Sequence, residues 1–301
     1  MQQDQVEERE PIGVIGGSGL YEMEGFEQSE EREVDTPFGA PSDALVGGTL
    51  AGRPLWFLPR HGRGHRILPH EINHRANIWA LRSLGVRWVI CVTAVGSLKD
   101  EYAPRSIVIP DQYFDRTSRR ENHTFFGQGI AAHVSFGEPL SSPLRHVLLE
   151  ATREERGREV HFGGTYVNMD GPAFSTRAES EVNRRLGFDV IGMTNLPEAK
   201  LAREAEMALA TLCMVTDYDC WKDEEVSVEA VISNVQANAA AAQRIVARAV
   251  ERIPGQPEWP EHRALENAIM TTPSLWPSQT IENLRPILTR FVDQGGQGER
   301  N

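Results

Sequence analysis

The sequence predicts an α/β fold in which a β-sheet is flanked by helices and followed by a C-terminal helical appendage. Short β-branched or apolar runs alternate along the chain with segments of helical periodicity, which is typical of this fold class. The chain has 301 residues, enough for two average domains or for one large domain with an appendage. With 40% hydrophobic and 25% charged residues, the composition is that of an ordinary globular protein.

The first half of the chain contains three predicted strands. The runs IGVIGGSGL and PLWFLPRHGRGH are short apolar stretches that break into glycines, which indicates a buried strand followed by a tight loop. A helix is predicted over residues 70–84, because Ile72, Ala76 and Trp79 have helical spacing and Gly85 follows as a stop. The next run, VRWVICVTAVGS, is apolar throughout, which indicates a strand buried on both faces.

The second half continues the alternation of strands and helices. After a strand in GGTYVNMDG, Thr176 and Glu179 form a predicted capping box at the start of a helix. A strand in FDVIGM follows, and then Asn195 and Glu198 form a second predicted capping box. The last predicted strand, ALATLCMVTDYD, precedes a long Ala-rich helix over residues 228–252. Ligands of such α/β sheets bind at the carboxyl ends of the strands.

The two ends of the chain differ from its centre. Residues 1–10 are predicted to be a disordered N-terminus, residues 11–253 the main domain, and residues 254–301 a helical tail packed on it. Six prolines within the first 33 residues of the tail interrupt the helical pattern, so short helices are predicted near 261–270 and 280–293. The N-terminal stretch MQQDQVEERE has no apolar core, and we therefore expect neither a signal peptide nor a transit peptide.

The charge balance and the cysteines exclude several classes of protein. Lysines and arginines number 31 against 43 aspartates and glutamates, and the net charge of −12 has the wrong sign for a protein that neutralises nucleic-acid phosphates. We therefore expect no nucleic-acid partner. Three cysteines without a C-x-x-C pair indicate a reducing compartment, the cytoplasm. No apolar segment is long enough to span a bilayer, so no membrane partner is predicted.

Three segments at predicted strand ends are suited to binding a phosphate. Gly16-Gly17-Ser18-Gly19 offers backbone N–H groups and a hydroxyl, and the loop RHGRGH offers the guanidinium of Arg60 and an imidazole. Thr93-Ala94, followed by Gly96-Ser97, ends a buried strand in small and hydroxyl-bearing residues. Each segment alone also fits an ordinary turn, a solvated loop or a strand end. Together, at equivalent strand ends, they favour an anion site.

A pair of aspartates closes the last predicted strand. In Asp217-Tyr218-Asp219 the two carboxylates stand at positions i and i+2, which point the same way on a strand. Each would raise the pKa of the other, so that one could donate a proton near neutral pH while the other accepts. This combination suits an aminopurine, whose exocyclic amine donates and whose adjacent ring nitrogen accepts. The alternative interpretation is a carboxylate pair that caps the following segment.

The stretch HEINH at residues 70–74 offers a rival function. It matches H-E-x-x-H, in which two histidines one helical turn apart hold zinc and the glutamate acts as a base. A zinc peptidase is therefore an alternative hypothesis, although Asn77 and Ala80 break the extended zincin pattern. We favour a helix start with Glu71 in its first turn, and no metal site is predicted.

Six motifs taken together resemble one family. GGSGL, RHGRGH, VTAVGS, MDGPAFSTRAE, GMTNLPEAKLAREA and VTDYDCW follow one another as in the 5′-methylthioadenosine phosphorylases, members of the trimeric purine nucleoside phosphorylase superfamily. The resemblance extends from about residue 12 to 253. It implies a single phosphorylase-type domain with a central mixed β-sheet flanked by helices, assembled as a homotrimer or a dimer of trimers.

The resemblance also implies roles for individual residues. Phosphate binding is implied for Ser18, Arg60, His61, Thr93, Ala94 and Thr194. Contacts to the purine are implied for Phe174, Ser175, Asp217, Tyr218 and Asp219, with Asp217 as the catalytic acid, and Met193 would lie beneath the ribose. The pocket of the 5′ substituent would be lined by His65, Val228 and Val231, with His133 supplied by a neighbouring subunit. Asn195 and the HEINH stretch depart from the usual family pattern.

The activity implied is phosphorolysis of 5′-methylthioadenosine to adenine and 5-methylthioribose 1-phosphate. Phosphate is a co-substrate and the nucleophile, and neither a metal nor an organic cofactor is expected. A 6-oxopurine nucleoside phosphorylase and a methylthioinosine phosphorylase are nearer alternatives, which Asp217 and Asp219 disfavour because a 6-oxo group would face an ionised carboxylate. A non-catalytic nucleoside-binding module is a further alternative, and it would bind its ligand without any dependence on phosphate.

Overall fold

A mixed β-sheet organises the part of the chain that this computed structural model describes, residues 9–17, 20, 23–118, 120–222 and 228–295. The strands are β1 (Ile12–Gly16), β2 (Phe26–Arg32), β3 (Leu45–Leu50), β4 (Arg53–Pro59), β5 (Trp88–Ser97), β6 (Ile107–Ile109), β7 (Gln112–Asp115), β8 (Val160–Phe162), β9 (Thr165–Asn168), β10 (Val190–Gly192) and β11 (Ala208–Asp217). The helices are α1 (His74–Ser83), α2 (Ser142–Thr152), α3 (Arg177–Arg185), α4 (Asn195–Glu204), α5 (Val228–Arg252), α6 (Ser278–Asn283) and α7 (Arg285–Gly295).

The sheet branches at β5. One path runs in the order β2-β3-β4-β1-β5-β10-β9-β7, and β11 adds to β5 a branch that continues through β6 to β8. β5 pairs in parallel with β1 over its first residues and with β11 along nearly its whole length. Its last two residues, Gly96 and Ser97, pair with β10 in the antiparallel direction. The mixed sheet, with parallel strands at its centre, agrees with the predicted fold class.

Each face of the sheet has its own hydrophobic core. Because side chains alternate along a strand, Trp88, Ile90 and Val92 of β5 join the core beneath α2 and α5, whereas Val89 and Cys91 join the core beneath α1, α4 and α7. All five side chains are buried, as the apolar run predicted. Burying an aliphatic side chain of this size is worth roughly 1.5–3 kcal/mol, so the two cores hold β5 firmly between the helix layers.

Several predicted elements are confirmed at their boundaries. The long helix after the last strand is α5, which spans Val228–Arg252. The capping box at α3 is present, since Thr176 accepts a hydrogen bond from the backbone of Glu179, whose carboxylate accepts one from the backbone of Thr176. The C-terminal helical appendage is also present: α7 packs on α1, and its Leu288 belongs to the same hydrophobic core as Ile78 and Leu81 of α1.

The helix predicted to start at residue 70 begins later. Pro69–Glu71 form a short 3₁₀ turn, and α1 begins at His74. Asn73 is its N-cap, and the Asn73 side chain accepts a hydrogen bond from the backbone of the first turn. Glu71 is therefore outside the first turn of the helix, contrary to the prediction, because Asn73 is a strong N-cap residue.

The predicted capping box of Asn195 and Glu198 is wrong. Thr194 occupies the N-cap position of α4, and Asn195 is the first helical residue. Both Asn195 and Glu198 are fully buried. The Glu198 carboxylate turns inward to Arg60, because a charged, two-point partner in the core binds a carboxylate more strongly than a backbone N–H does.

The tail differs in part from its prediction. The prediction of a helix over 261–270 is wrong. The chain forms only a 3₁₀ turn at Pro260–Arg263 there, and hydrogen-bonded turns follow it. The helix predicted over 280–293 is present as two pieces, α6 and α7, which meet at Leu284. Within the described residues, no helix is long and apolar enough to cross a membrane.

Candidate active site

Arg60 lies at the end of β4, where several strand ends meet α4. Its guanidinium donates to both carboxylate oxygens of Glu198, at 2.5 and 2.9 Å, and to the carbonyl of Val92 in β5, at 2.9 Å. The backbone N–H of Arg60 donates to the carbonyl of Gly16, at the end of β1. A guanidinium has five N–H donors, and three are engaged within the described residues. Two therefore remain for a ligand.

The partner of Arg60 is held by its own polar neighbours. Burial alone would raise the pKa of Glu198, but the charge and hydrogen bonds of Arg60 keep that pKa below its ordinary value. The Asn195 amide donates to Glu198 Oε2 at 3.1 Å, and its oxygen accepts from the Thr211 hydroxyl at 2.6 Å. Glu198 is thus ionised and fixed in position, and it orients the guanidinium.

His61 follows Arg60 and has its ring anchored. Its Nδ1 lies 2.9 Å from the carbonyl of Ile67, so Nδ1 carries the hydrogen. Burial lowers the pKa of His61 to about 4, which leaves Nε2 unprotonated at neutral pH. The ring of His65 stacks on that of His61, with centroids 4.2 Å apart, and His65 itself is exposed. At neutral pH the free ring nitrogen of His61, Nε2, is therefore a hydrogen-bond acceptor and cannot donate to an anion.

Thr93 and Ala94 continue β5 beyond the residue that binds Arg60. The Val92 carbonyl is engaged by the guanidinium, so Thr93 and Ala94 lie next to this corner of the sheet. Thr93 is buried, and Ala94 is exposed within an otherwise buried stretch of strand. An exposed small residue at this point lets a ligand approach the backbone of the strand closely.

Thr194 is the N-cap of α4, one turn before Glu198. It is 4% exposed, and its hydroxyl makes no capping hydrogen bond to its own helix. Leu196 N–H donates to Asn168 Oδ1 at 3.0 Å, and Pro197 has no N–H. The N-terminus of α4 therefore offers an anion the Thr194 hydroxyl more readily than a ring of backbone donors.

The two aspartates meet at the end of β11. Asp217 Oδ2 accepts a hydrogen bond from the Thr216 hydroxyl, and its Oδ1 accepts one from Asp219 N–H, both at 2.7 Å. Burial raises the pKa of Asp217. Burial and the neighbouring charge of Asp217 raise the pKa of Asp219, which is 8% exposed. Asp219 Oδ2 is buried and has no hydrogen-bond partner among the described residues.

Asp217 and Asp219 are close together, as predicted, but not because both lie on one face of a strand. β11 ends at Asp217, and Asp219 has the left-handed backbone conformation, with φ of 54°. The carboxylates are therefore not successive same-face residues of a strand; the chain turns back and brings Asp219 N–H to Asp217. Gly96 allows this approach, since a Cβ there would lie 3.2 Å from Asp217 Oδ1 and 3.4 Å from Asp219 Cβ.

The loop that precedes α3 lies beside the aspartates. The carbonyl of Ser175 is 3.2 Å from the thiol of Cys220, which directly follows Asp219. Phe174, the residue implied to stack on a purine, is 78% exposed, so one face of its ring is open to a ligand. Met193 packs its sulfur against the backbone of the same loop. The structure thus brings Ser175 to the carboxylate corner, with Phe174 beside it in the chain, while Met193 is shown only against Gly171 at the start of the loop.

β5 connects the two corners. Val92, whose carbonyl binds Arg60, and Gly96, which faces the aspartates, are four residues apart, or about 13 Å along a strand. The anion corner and the carboxylate corner therefore lie along the same strand.

Other implied residues are not brought to these corners. Tyr218 turns its hydroxyl to the carbonyl of Asp100, at 3.4 Å. His133 is exposed in a cavity of 680 Å³, lined also by Arg203 and by part of the tail, that includes neither Arg60 nor Asp217. Ser18 lies outside the described residues, and so do the side chains of Val228 and Val231.

The geometry of the HEINH stretch does not fit the zinc hypothesis. H-E-x-x-H places its two histidines one turn apart on a continuous helix, whereas His70 lies in the 3₁₀ turn and His74 begins α1. His74 is buried, and its Nδ1 lies 4.0 Å from Glu198 Oε1. The second histidine therefore faces the Arg60–Glu198 pair instead of sharing a metal with the first.

A family model described as the phosphorylase superfamily matches residues 11–251. The chain belongs to the phosphorylase superfamily. The phosphorylase is 53% identical to the S-methyl-5′-thioadenosine phosphorylase of Gloeobacter violaceus, over 93% of this chain and 95% of that protein. It is 54% identical to the enzyme of the same name from Chloroflexus aurantiacus, over 93% and 98% of the two chains.

Solved structures agree with these sequence relatives. A methylthioadenosine phosphorylase from an Antarctic soil metagenomic library has a TM-score of 0.89 and 44% identity, over 94% of this chain and all of that one. A variant of the adenosine/methylthioadenosine phosphorylase of Schistosoma mansoni, solved with methylthioadenosine, has a TM-score of 0.78 and 34% identity, over 93% and 98% of the two chains.

Sequence reasoning missed two residues that support the site of this phosphorylase. Glu198 was interpreted as a capping residue, yet it orients Arg60. A glutamate between Pro197 and Ala199 on an otherwise apolar helix face was the available signal. Trp221 was not singled out, although its indole N–H donates to the carbonyl of Ser97 at the end of β5. Its position just after the second aspartate was the only hint.

Proposed function

We propose that this phosphorylase cleaves S-methyl-5′-thioadenosine with phosphate, giving adenine and 5-methylthioribose 1-phosphate. The observation that carries the proposal is the half-buried Asp217 and the buried Asp219 beside Gly96, about 13 Å along β5 from Val92, which binds the buried Arg60. This arrangement suits an anion and an aminopurine bound at opposite ends of one sugar. Relatives that are 53% and 54% identical carry the same activity in their names.

Phosphate binding in this proposal rests on neutral donors as well as on charge. Because Glu198 compensates much of the Arg60 charge, the guanidinium binds phosphate mainly through its two remaining N–H groups. With Nε2 of His61 unprotonated, the natural donor of that residue is its backbone N–H. The proposed phosphate ligands are Ser18, Arg60, His61, Thr93, Ala94 and Thr194.

The purine end provides the acid. A raised pKa lets one carboxyl of the pair keep its proton closer to neutral pH, and Asp217 is assigned this role. It donates the proton to the ring nitrogen of the leaving purine, a contribution worth about 10²–10⁴-fold in rate. The unpartnered Oδ2 of Asp219 accepts from the exocyclic amine. A 6-oxo purine would bring an acceptor to the same oxygen, which disfavours 6-oxopurine and methylthioinosine substrates.

The bond changes then follow from the positions of the reactants. A phosphate oxygen forms the bond to C1′ while the bond from C1′ to the purine nitrogen breaks, and the purine takes up the proton. Positive charge on the sugar in the transition state is stabilised by the phosphate anion beside it. Phosphate is the nucleophile, so the proposed reaction uses no covalent enzyme intermediate and no cofactor.

The remaining contacts and the assembly are also proposed from the family resemblance. His65, Val228 and Val231 surround the 5′ substituent, and His133 reaches the site of a neighbouring subunit in a homotrimer or a dimer of trimers. Phe174, Ser175, Met193 and Tyr218 contact the purine or the ribose. Residues 11–253 form the catalytic domain, and 254–301 form its tail. Free thiols at all three cysteines support a cytoplasmic location.

Release of adenine from methylthioadenosine, measured with and without phosphate, tests the proposal. We expect release only with phosphate, together with stoichiometric 5-methylthioribose 1-phosphate. Equal release without phosphate would indicate a hydrolase, and binding without any turnover would indicate a nucleoside-binding module. Faster turnover of methylthioinosine than of methylthioadenosine would contradict the proposed purine specificity.

A further inference from the structure

Trp221 joins the segment after the aspartates to the end of β5. Its indole N–H donates to the carbonyl of Ser97 at 2.8 Å, and the guanidinium carbon of Arg184 lies 3.5 Å from the centroid of its ring. Arg184 belongs to α3, and its Nε donates to the carbonyl of Leu98 at 3.2 Å. We name Trp221, Arg184 and Ser97 the Trp221 clamp. Hydrogen bonding and a cation–π contact act together on one ring.

Neighbouring side chains reinforce the clamp. Asp100 lies 3.4 Å from Arg184 and 3.3 Å from Lys222, so one carboxylate pairs with both cations. The ammonium of Lys222 lies 3.6 Å from the ring centroid of Tyr218, and that ring stands edge-on to Trp221, with centroids 5.5 Å apart. Residues 218–222 are therefore held to the loop that directly follows β5.

The clamp matters because the backbone on both sides of Asp219 helps to fix where its carboxyl lies. Asp219 Oδ2 has no partner among the described residues. Side-chain hydrogen bonds from Ser180 and Ser175 act on this carboxyl. The backbone adds two further restraints: Asp219 N–H bonds to Asp217 on one side, and Trp221 is fixed two residues later on the other. Ser97, to which Trp221 is bonded, directly follows Gly96, which faces both aspartates. The clamp thus fixes the position of the two carboxyls relative to β5.

We propose that Trp221 is a positioning residue for the Asp217–Asp219 pair. By anchoring the backbone of residues 219–221, it holds the pair against the end of β5, where Asp219 Oδ2 is buried. The proposal rests on the proposed function, in which the pair binds and protonates the purine. Trp221 itself contacts neither substrate; it acts on the reaction only through the two carboxyls.

Two variants and a matched control test the proposal. Trp221→Phe keeps an aromatic ring beneath Arg184 and removes the N–H donor, whereas Arg184→Met keeps the indole and removes the cation. Arg185→Met is the control, since Arg185 lies on the same helix with a 79% exposed side chain paired only to Glu181 among the described residues. For each variant, kcat, the KM of both substrates, the pH profile and the melting temperature are measured.

Trp221→Phe and Arg184→Met should lower kcat/KM for methylthioadenosine about tenfold, since small displacements of catalytic groups have large kinetic effects. The KM for phosphate should stay within about twofold of wild type, because Arg60 is untouched. Water that reaches the carboxyls would lower their raised pKa, so the loss of kcat on the alkaline side should move to lower pH. Arg185→Met should match wild type in every measurement.

A parallel rise in the KM for phosphate, or an unchanged pH profile, would mean that the clamp only supports the fold. If Trp221→Phe fails to fold, Arg184→Met decides on the same criteria. Calorimetric titration with adenine, without phosphate, separates this proposal from the proposed function. About tenfold weaker adenine binding in the variants would support the clamp even if wild type turned over no methylthioadenosine. Unchanged adenine binding would overturn it.

Discussion

Arg60 and Glu198 are both buried, so removing one of them leaves the other charged and unpaired. Arg60→Ala should lower the free energy of unfolding by about 3–5 kcal/mol. It should also raise the KM for phosphate at least about tenfold, since a charge-assisted contact is lost. In Arg60→Ala/Glu198→Gln no unpaired charge remains, so part of the stability should return while phosphate affinity stays low.

Chemical denaturation and phosphate kinetics of the single and double variants measure the two effects. Nucleoside binding without phosphate is the control, and it should change little. A double variant that is no more stable than Arg60→Ala would show that the guanidinium stabilises the fold by its packing and not by neutralising Glu198.

The free oxygen of Asp219 makes it the more informative of the two aspartates. Asp219→Asn places an amide where a carboxylate accepted from the exocyclic amine, and an amide can donate to a 6-oxygen. The ratio of kcat/KM for methylthioadenosine to that for methylthioinosine should fall by at least about tenfold. Asp217→Asn is the matched variant, and it should lower kcat on both substrates because the acid is lost. An unchanged ratio in Asp219→Asn would place purine selection elsewhere.

At the scale of elements, α4 illustrates how one helix serves two regions. Its first turn carries Glu198 toward Arg60, and its last residue, Glu204, accepts hydrogen bonds from Phe125 N–H at 2.7 Å and from the Thr124 hydroxyl at 2.8 Å. Burial raises the pKa of Glu204 to about 7. The folded protein therefore holds this proton more tightly than the unfolded chain, and the associated stability is lost as pH rises from about 4.5 to 7.

Glu204→Gln should remove this penalty. The amide oxygen can still accept from Phe125 N–H, but it never ionises. Relative to wild type, the variant should gain stability between pH 5 and pH 8, by as much as about 3 kcal/mol. Melting temperatures at a series of pH values measure the difference. A difference that is constant with pH would contradict the assignment of the raised pKa to Glu204.

Local patterns were sufficient for the elements whose environment is uniform. β5 was recognised because its residues form a long apolar run, and α5 was recognised because its helical pattern extends over many residues. β2 was missed, because it is an edge strand whose residues after Phe26 are all exposed, so nothing in FEQSEER favours a strand. The role of Glu198 depends on an arginine 138 positions away, and no local pattern encodes that distance.

The predicted site shows the same division. The motifs identified the two aspartates and Arg60, because charged residues at strand ends are a local signal. What fixes them was not predictable: Glu198 behind the guanidinium and Trp221 behind the carboxyls are contacts between segments that only the fold brings together.

In the molecule as a whole, the groups with shifted pKa values have opposite effects on how folding stability changes with pH. Burial lowers the pKa of His61, His74 and His262 to about 4, and it raises the pKa of Asp217, Asp219 and Glu204. The unfolded chain binds more protons than the folded one at the histidines and fewer at the acids. The histidines and the acids therefore contribute opposite slopes to the pH dependence of wild-type stability, and they partly offset each other between about pH 5 and pH 6.5.

His74→Phe should remove one histidine contribution to the pH dependence of folding stability. Without the histidine, the variant avoids a penalty that wild type meets as pH falls from about 6.5 to about 4, so its relative stability should rise by up to about 3 kcal/mol over that range. Unfolding at pH 7, 5.5 and 4.5 tests this tilt, which is opposite in sign to that of Glu204→Gln. Parallel curves for His74→Phe and wild type would contradict it.

β5 also has a consequence for the range of substrates. The strand between the anion corner and the purine corner is packed between two hydrophobic cores and paired on both edges. Its rigidity fixes the distance between the two corners, which acts as a gauge for the substrate. A compound with an extra atom between its base and the carbon that phosphate attacks cannot satisfy both ends. The 5′ position is not measured by that gauge. Selectivity should therefore be strict along the glycosidic axis, whereas selectivity at the 5′ position depends on the residues proposed to surround the substituent.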